Sequence, residues 1–278
     1  MSTLKEFQKA GQEIYDKVHL GSMPVAIKFV KNASEFEDLK VMRPSAMGEE
    51  WAMCQGFTYA RRWGWNVAMT GEDSFCLPGA GSLGWLDITE EEMYESQIRQ
   101  GWHKSPEAER RIFAFGKKLT GEGGLKKKGE YKGFVVSPLP KSIIEPDTVL
   151  IYGNGEQITH LIQAIVYDGR NFPVSGHWGF GESCFKGGLL PFLNQIPEVV
   201  IPGTGDRAFS GVFDYEIAIG IPASLILEVN ENLFKTGGRL NMGMPIKTLI
   251  SRGIKAKLTP GFDYLRKTIE ERKKGQNK

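Results

Sequence analysis

Short apolar runs of strand type alternate along this chain with longer amphipathic segments, and glycines separate many of them. That alternation constrains the fold most, because a side-chain period of two and a period of 3.6 cannot describe the same element. Residues 24–30 read as a largely buried strand, with Pro24 at the start, where a missing N–H is tolerated. Residues 134–138, 147–152 and 197–201 also read as strands. Residues 65–69, 174–178 and 213–220 are strand-like. Thr3 and Glu6 form a capping-box pattern ahead of Leu4, Phe7, Ile14, Tyr15 and Val18, which recur near the helical period until Gly21. Residues 52–63 read as a helix with Met53, Phe57 and Ala60 on one side and Arg61 and Arg62 at its C-terminal end, where cations suit the dipole. Further helices are expected from Thr89, from Ser105-Pro106, and over 155–166, 222–234 and 262–274.

The expectation is an α/β or α+β fold in one compact domain over residues 1–278. An internal echo divides it into possible halves, 20–133 and 134–235, followed by a helical tail, 236–278. Each half shows strand, helix, glycine, strand and then a cysteine in a glycine stretch. Two βαβ-containing halves related by a pseudo-twofold axis would bring Cys76 close to Cys184.

The 35 Lys and Arg against 33 Asp and Glu leave a net charge of +2, and 41% of residues are hydrophobic, which excludes an intrinsically disordered chain. No stretch reaches the roughly 18 apolar residues a membrane span needs, and the amphipathic start has no signal-peptide core. The expected protein is soluble and cytoplasmic, without a membrane or nucleic-acid partner. Its two basic runs, 116–133 and 272–278, read as a loop and a frayed terminus.

The 34 glycines are about 12% of the 278 residues, against the usual ~7%, and they show no collagen period. There are three cysteines, too few for a disulfide scaffold. Cys54 stands near the start of a helix, where unpaired N–H groups favour a thiolate. Cys76 leads into a glycine loop, 77–84, and Cys184 lies in a second glycine loop, 179–188. Glycine lets backbone N–H groups approach an anion closely, and the sulfurs of an iron–sulfur cluster are anionic. No C-x-x-C pair occurs, so a zinc ribbon or a ferredoxin run is excluded as a local motif. Three dispersed thiolates with no fourth would leave one iron of a 4Fe-4S cluster open as a Lewis acid. The competing readings are structural cysteines with no cofactor, or zinc held by cysteine together with His177.

Several other features read as structural. The G-x-G-x-x-G match at 79–84 lacks the strand and acidic residue of a dinucleotide site. Glu72-Asp73 reads as a solvated turn, and the Asp206-Arg207 pair in the turn 203–207 as a cap on the next element in preference to a clamp on an anionic group. Trp63, Trp65, Trp85 and Trp102 read as core.

Pro24-Val-Ala-Ile-Lys-Phe, Met53-Cys54-Gln55 with Ala60-Arg61 and Gly64, Glu72-Asp73, and Phe75-Cys76 with Leu83-Gly84 follow one another in a distinctive order. Pro146-Asp147, residues 181–184, Gly205-Asp206-Arg207 and Ile221-Pro222 continue it. In this order the chain resembles the domain of unknown function 169 family of anaerobic archaea and bacteria over roughly residues 20–235. All three cysteines fall at motif positions of that family. The resemblance implies an anaerobic setting, which suits an oxygen-labile cluster, and it supplies no activity.

The expected function is therefore binding of one 4Fe-4S cluster by Cys54, Cys76 and Cys184, with Lewis-acid or redox chemistry on a small molecule at the open iron. Gln55 and His177 are candidates to approach that iron. Arg207 and Arg61 are candidates to offset the cluster's charge. A redox partner and a homo-oligomer are compatible with this role. The alternative is a non-catalytic module that binds a small molecule or a partner.

Overall fold

A computed structural model describes residues 3–32, 34–37, 39–120, 129–177, 179, 181–236 and 260–276. The chain divides into two compact units, Met1–Pro245 and Ile246–Lys278. The second unit contributes one described element, α11 (Pro260–Gln276).

The first unit is built on a six-stranded sheet. Its strands are β1 (Val25–Val30), β2 (Val67–Thr70), β3 (Gly133–Pro138), β4 (Thr148–Gly153), β5 (Glu198–Val200) and β6 (Ile217–Pro222), in the order β2-β3-β1-β4-β6-β5. Every ladder is antiparallel. The mixed α/β expectation holds, with strand pairing of the α+β kind. β1 and β2 both run antiparallel to β3, which lies between them, so they point the same way. β4 and β5 are related in the same manner through β6. Each half of the sheet is thus a split βαβ arrangement.

Helices cover both faces. α1 (Leu4–Val18), α7 (Gly155–Ile165) and α10 (Ala223–Leu233) pack on one face. α3 (Met53–Trp63), the π-helical segment Glu182–Leu189 and α8 (Leu190–Asn194) pack on the other. The strands alternate between the two. Val25, Ile27, Phe29, Phe134, Val136, Leu150 and Tyr152 face α3, whereas Ala26, Val30, Val135, Val149, Ile151, Ile219 and Ile221 face α1, α7 and α10. Burial on both faces explains why the strands read as near-continuous apolar runs. The helices at 52–63 and 155–166 that echoed each other in sequence therefore lie on opposite faces.

The local signals acted as expected at several places. Thr3 and Glu6 form a capping box on α1, which ends at left-handed His19, two residues before Gly21. Gly64 closes α3 in the left-handed region at φ 75°. α5 (Glu90–Arg99) starts from a Thr89–Glu92 capping box, and α6 is Pro106–Thr120. Among the described residues no helix is long and apolar enough to cross a membrane.

The two glycine stretches depart from expectation, because both are helical. Residues 77–82 form α4 (Leu77–Ser82) with Cys76 as its N-cap, and 182–189 form the π-helical segment. Their glycines serve close packing. A Cβ on Gly187 would press into Leu150, and one on Gly220 would collide with the Gly187 carbonyl. The π-helical segment can therefore lie directly on the sheet. Residues 174–178 contribute a single bridge, Val174 to Glu198, and Trp178 lies outside the described residues. The basic run 116–133 begins on α6, and its residues 121–128 lie outside the described residues.

Trp63, Trp65 and Trp102 differ from the core expectation, and Trp85 meets it. Trp63 and Trp65 are about half exposed, at 58% and 45%, and pack on Tyr59. Trp85 stacks on Phe134 in the core.

Candidate functional site

The three cysteines come from three separate segments and line one cavity of about 470 Å³. Cys54 is in the first turn of α3, Cys76 caps α4, and Cys184 is in the first turn of the π-helical segment. All three are free thiols, Cys54 buried and the other two half-buried. α9 (Thr204–Phe209) supplies Thr204, Gly205, Asp206, Ala208 and Phe209 to the wall, and α5 supplies Ser96 and Gln97.

Specific bonds hold these segments together. Asp73 accepts from the Ser45 N–H and hydroxyl at 3.0 and 2.6 Å, from the Thr70 N–H at 2.8 Å and from Arg43 at 2.6 Å. Its carbonyl accepts from Trp51 N–H at 2.8 Å, and Trp51 bridges Ser74. The segment leading to Cys54 is thereby fixed beside the segment leading to Cys76. Asp73 is wholly buried, so the pair Glu72-Asp73 is not the solvated turn expected; only Glu72 is exposed. Burial opposes ionisation of Asp73, but these donors outweigh it and hold its pKa below the usual carboxylate value.

Asp206 ties the other side. It caps α9 through Gly203 N–H at 2.9 Å and accepts from Ser183 N–H at 3.4 Å, one residue before Cys184. Thr58 of α3 donates to the Ser210 carbonyl at 2.9 Å, and the Cys54 thiol lies 3.6 Å from the Gly205 carbonyl. The expected cap at Asp206 is therefore present, and it also joins α9 to the Cys184 segment.

All three thiols have raised pKa values. Burial is the main cause, and the neighbouring Asp206 adds to it. Cys54 and Cys184 are also raised by neighbouring cysteines. Burial raises Asp206 too. Opposing this, the backbone N–H groups of Gly79 and Phe185 favour the anions of Cys76 and Cys184. Gly79 lets the helix approach closely here, since a Cβ would lie 2.9 Å from Met53 Sδ and 3.3 Å from Cys76 Sγ and Met53 would have to shift. Such thiols are poor nucleophiles alone, and a cation among them would reverse that. Among the described residues, no group of three or more His, Cys, Asp or Glu side chains is placed to hold a metal ion.

The other sequence candidates are engaged elsewhere. Gln55 caps α3 by accepting from Ala52 N–H at 2.7 Å. His177 contacts Ser175 Oγ at 2.7 Å and Glu182 at 3.3 Å. Arg207 pairs with Asp214 at 3.0 Å. Arg61 is buried, bonded to Glu216 through both terminal nitrogens, and lies 4.1 Å above the Tyr152 ring centre. None of these four lines the cavity among the residues that form it. Gln97, Trp102 and Phe209 do line it, and sequence reasoning missed them. For Gln97 a signal existed: it follows Met93 by one helical turn on the inward stripe of α5.

A family model described as "Uncharacterised ArCR", DUF169, matches residues 13–232. An uncharacterized protein of Methanocaldococcus jannaschii is 20% identical over 230 residues, which cover 82% of this chain and 94% of that protein. No solved structure matches the chain.

Proposed function

The chain belongs to the DUF169 family, and from that premise we propose that Cys54, Cys76 and Cys184 bind one 4Fe-4S cluster whose fourth iron is open to a small molecule. One observation carries this: three thiols from segments far apart in sequence line a single cavity. Its volume falls in the range of small-molecule sites, roughly 300–1,000 Å³. The cavity groups together three thiols and a buried carboxyl whose ionisation burial opposes, and bound iron would favour their anionic forms. The N–H groups of Gly79 and Phe185 suit anionic sulfurs, and hydrogen bonds of this kind tune a cluster's potential. Bound there, the cluster would supply Lewis-acid or redox chemistry.

The zinc alternative is weaker because His177 is taken up by Ser175 and Glu182. The non-catalytic alternative is favoured by the exposed apolar rim of the cavity, where Leu77 is 58% and Phe209 49% exposed. Three free thiols suit a reducing, cytoplasmic setting, and a redox role would need an electron partner.

Anaerobic purification and reconstitution test the proposal. About four iron and four sulfide per chain are expected, with iron lost on replacing any one of the three cysteines by serine. A colourless chain without iron after reconstitution would overturn it. Stoichiometric zinc would select the zinc alternative instead.

A further inference from the structure

We infer that the cysteine cavity takes a neutral or cationic ligand with an apolar body and an N–H or O–H donor, and that it rejects anions. The inference concerns the same cavity as the cluster proposal and does not depend on iron being present.

Charge is the first observation. Among the described residues that line the cavity, none is Lys, Arg or His, while Glu182 and Asp206 are carboxyls. Glu182 is already matched by Lys186, which is itself buried against it at 3.3 Å. A carboxylate or phosphate entering here would lose its hydration and meet no counter-charge, which is costly. A neutral group loses much less, and a cation finds Asp206.

The second observation is an unmet acceptor. Gln97 is wholly buried in the cavity wall. Its amide nitrogen donates to Met93 Sδ at 3.6 Å, and its Oε1 has no hydrogen-bond partner. A buried acceptor without a donor is costly, and a ligand donor would recover that cost. A site with a fixed acceptor also discriminates strongly against analogues that lack the donor.

The third observation is the mouth. Phe75, Leu77, Trp102 and Phe209 are 39%, 58%, 37% and 49% exposed around the same opening. Phe75 and Phe209 meet edge to face, with ring centres 5.2 Å apart. Clustered exposed aromatics around a concave site mark it for an apolar body.

Calorimetry on the full chain with 2-naphthamide, 2-naphthylmethylammonium, 2-naphthoate and 2-methylnaphthalene tests this. The amide and the ammonium are expected to bind at least about tenfold tighter than the carboxylate. Gln97→Met, close in volume, should weaken the amide about tenfold relative to 2-methylnaphthalene. Phe209→Ser, at the exposed mouth, should weaken every probe that binds. Melting curves confirm that both variants fold. Equal or tighter binding of 2-naphthoate overturns the inference, as does an unaffected amide in Gln97→Met, or binding by none of the four. Iron and sulfide counted on the same samples separate the two proposals. The charge preference without iron sinks the cluster alone, whereas iron with preferred naphthoate sinks the ligand class alone.

Discussion

The two faces of the sheet bury similar numbers of apolar side chains but treat charge in opposite ways. The face under α1, α7 and α10 is almost entirely aliphatic, with Ile14, Val18, Val149, Ile151, Leu161, Ile219 and Ile226 wholly buried. Among the described residues the buried titratable group in that layer is His160, and burial lowers its pKa, favouring the neutral form. The face under α3 and the π-helical segment mixes aromatics, methionines and the cysteines. It also buries Arg61 with Glu216, Lys186 with Glu182, and Glu198 and Asp206. A close-packed aliphatic layer holds the architecture together. The opposite layer buries ion pairs and carboxyls whose ionisation burial opposes, groups that disfavour folding unless paired or neutral and that are typical of sites.

The largest expected effect breaks a buried pair on the charged face. Glu216→Ala leaves Arg61 buried with its main counter-charge gone, and should cost about 3–5 kcal/mol in urea unfolding. Next is the aliphatic face. Leu161→Ala, at a wholly buried position on α7, should cost about 2–5 kcal/mol. Because it lies across the sheet from the cysteines, the folded fraction should keep the iron content and ligand preference that the two proposals give the unsubstituted chain. Loss of both in a folded Leu161→Ala protein would show that the two faces are not independent.

A smaller effect should appear with pH. Burial pushes Glu198 up to about 8, and Glu182 adds to this while Lys186 opposes it. The folded state therefore keeps this proton between the unfolded carboxyl value and about 8, while the unfolded state has lost it. Stability contributed by Glu198 must then fall as pH rises across that window, by on the order of 1 kcal/mol per unit. Glu198→Gln should flatten that slope in unfolding curves between pH 5 and 7.5, and an unchanged slope would refute the assignment. Glu216 has the opposite sign. Burial raises its pKa, but Arg61 and the Phe213 N–H outweigh this and leave it lowered, so its contribution is lost only as pH falls through the acid range.

The smallest effect on stability is expected from Cys76→Ser. The side chain is only half-buried at the cavity, so the change should stay within about 1 kcal/mol, while the proposed cluster would lose a ligand and its iron. A large loss of stability with no change in metal content would instead make Cys76 a structural residue.

Much of the local structure was legible. The Thr3–Glu6 capping box, the end of α3 at Gly64 and the strand runs near 134–138 and 147–152 all depend on residues within a few positions of one another, and they formed where expected. The glycine stretches around Cys76 and Cys184 were not legible. Glycine reads as a helix breaker, yet Gly79 and Gly187 are used to bring helices against Met53 and Leu150. The exposure of Trp63 and Trp65 was also hidden, because their rings pack on Tyr59 at the surface.

By itself the sequence determined the mixed fold, most of the elements, the three cysteines and the family resemblance, since these follow from period, caps and composition. Only the tertiary structure decided that α3 and the π-helical segment share a face, and that Cys54, Cys76 and Cys184 line one cavity there. The physical reason is that convergence depends on antiparallel register between distant strands, such as Val25 against Leu150, and on bonds such as Asp73 to Ser45. No local pattern of residues encodes those pairings.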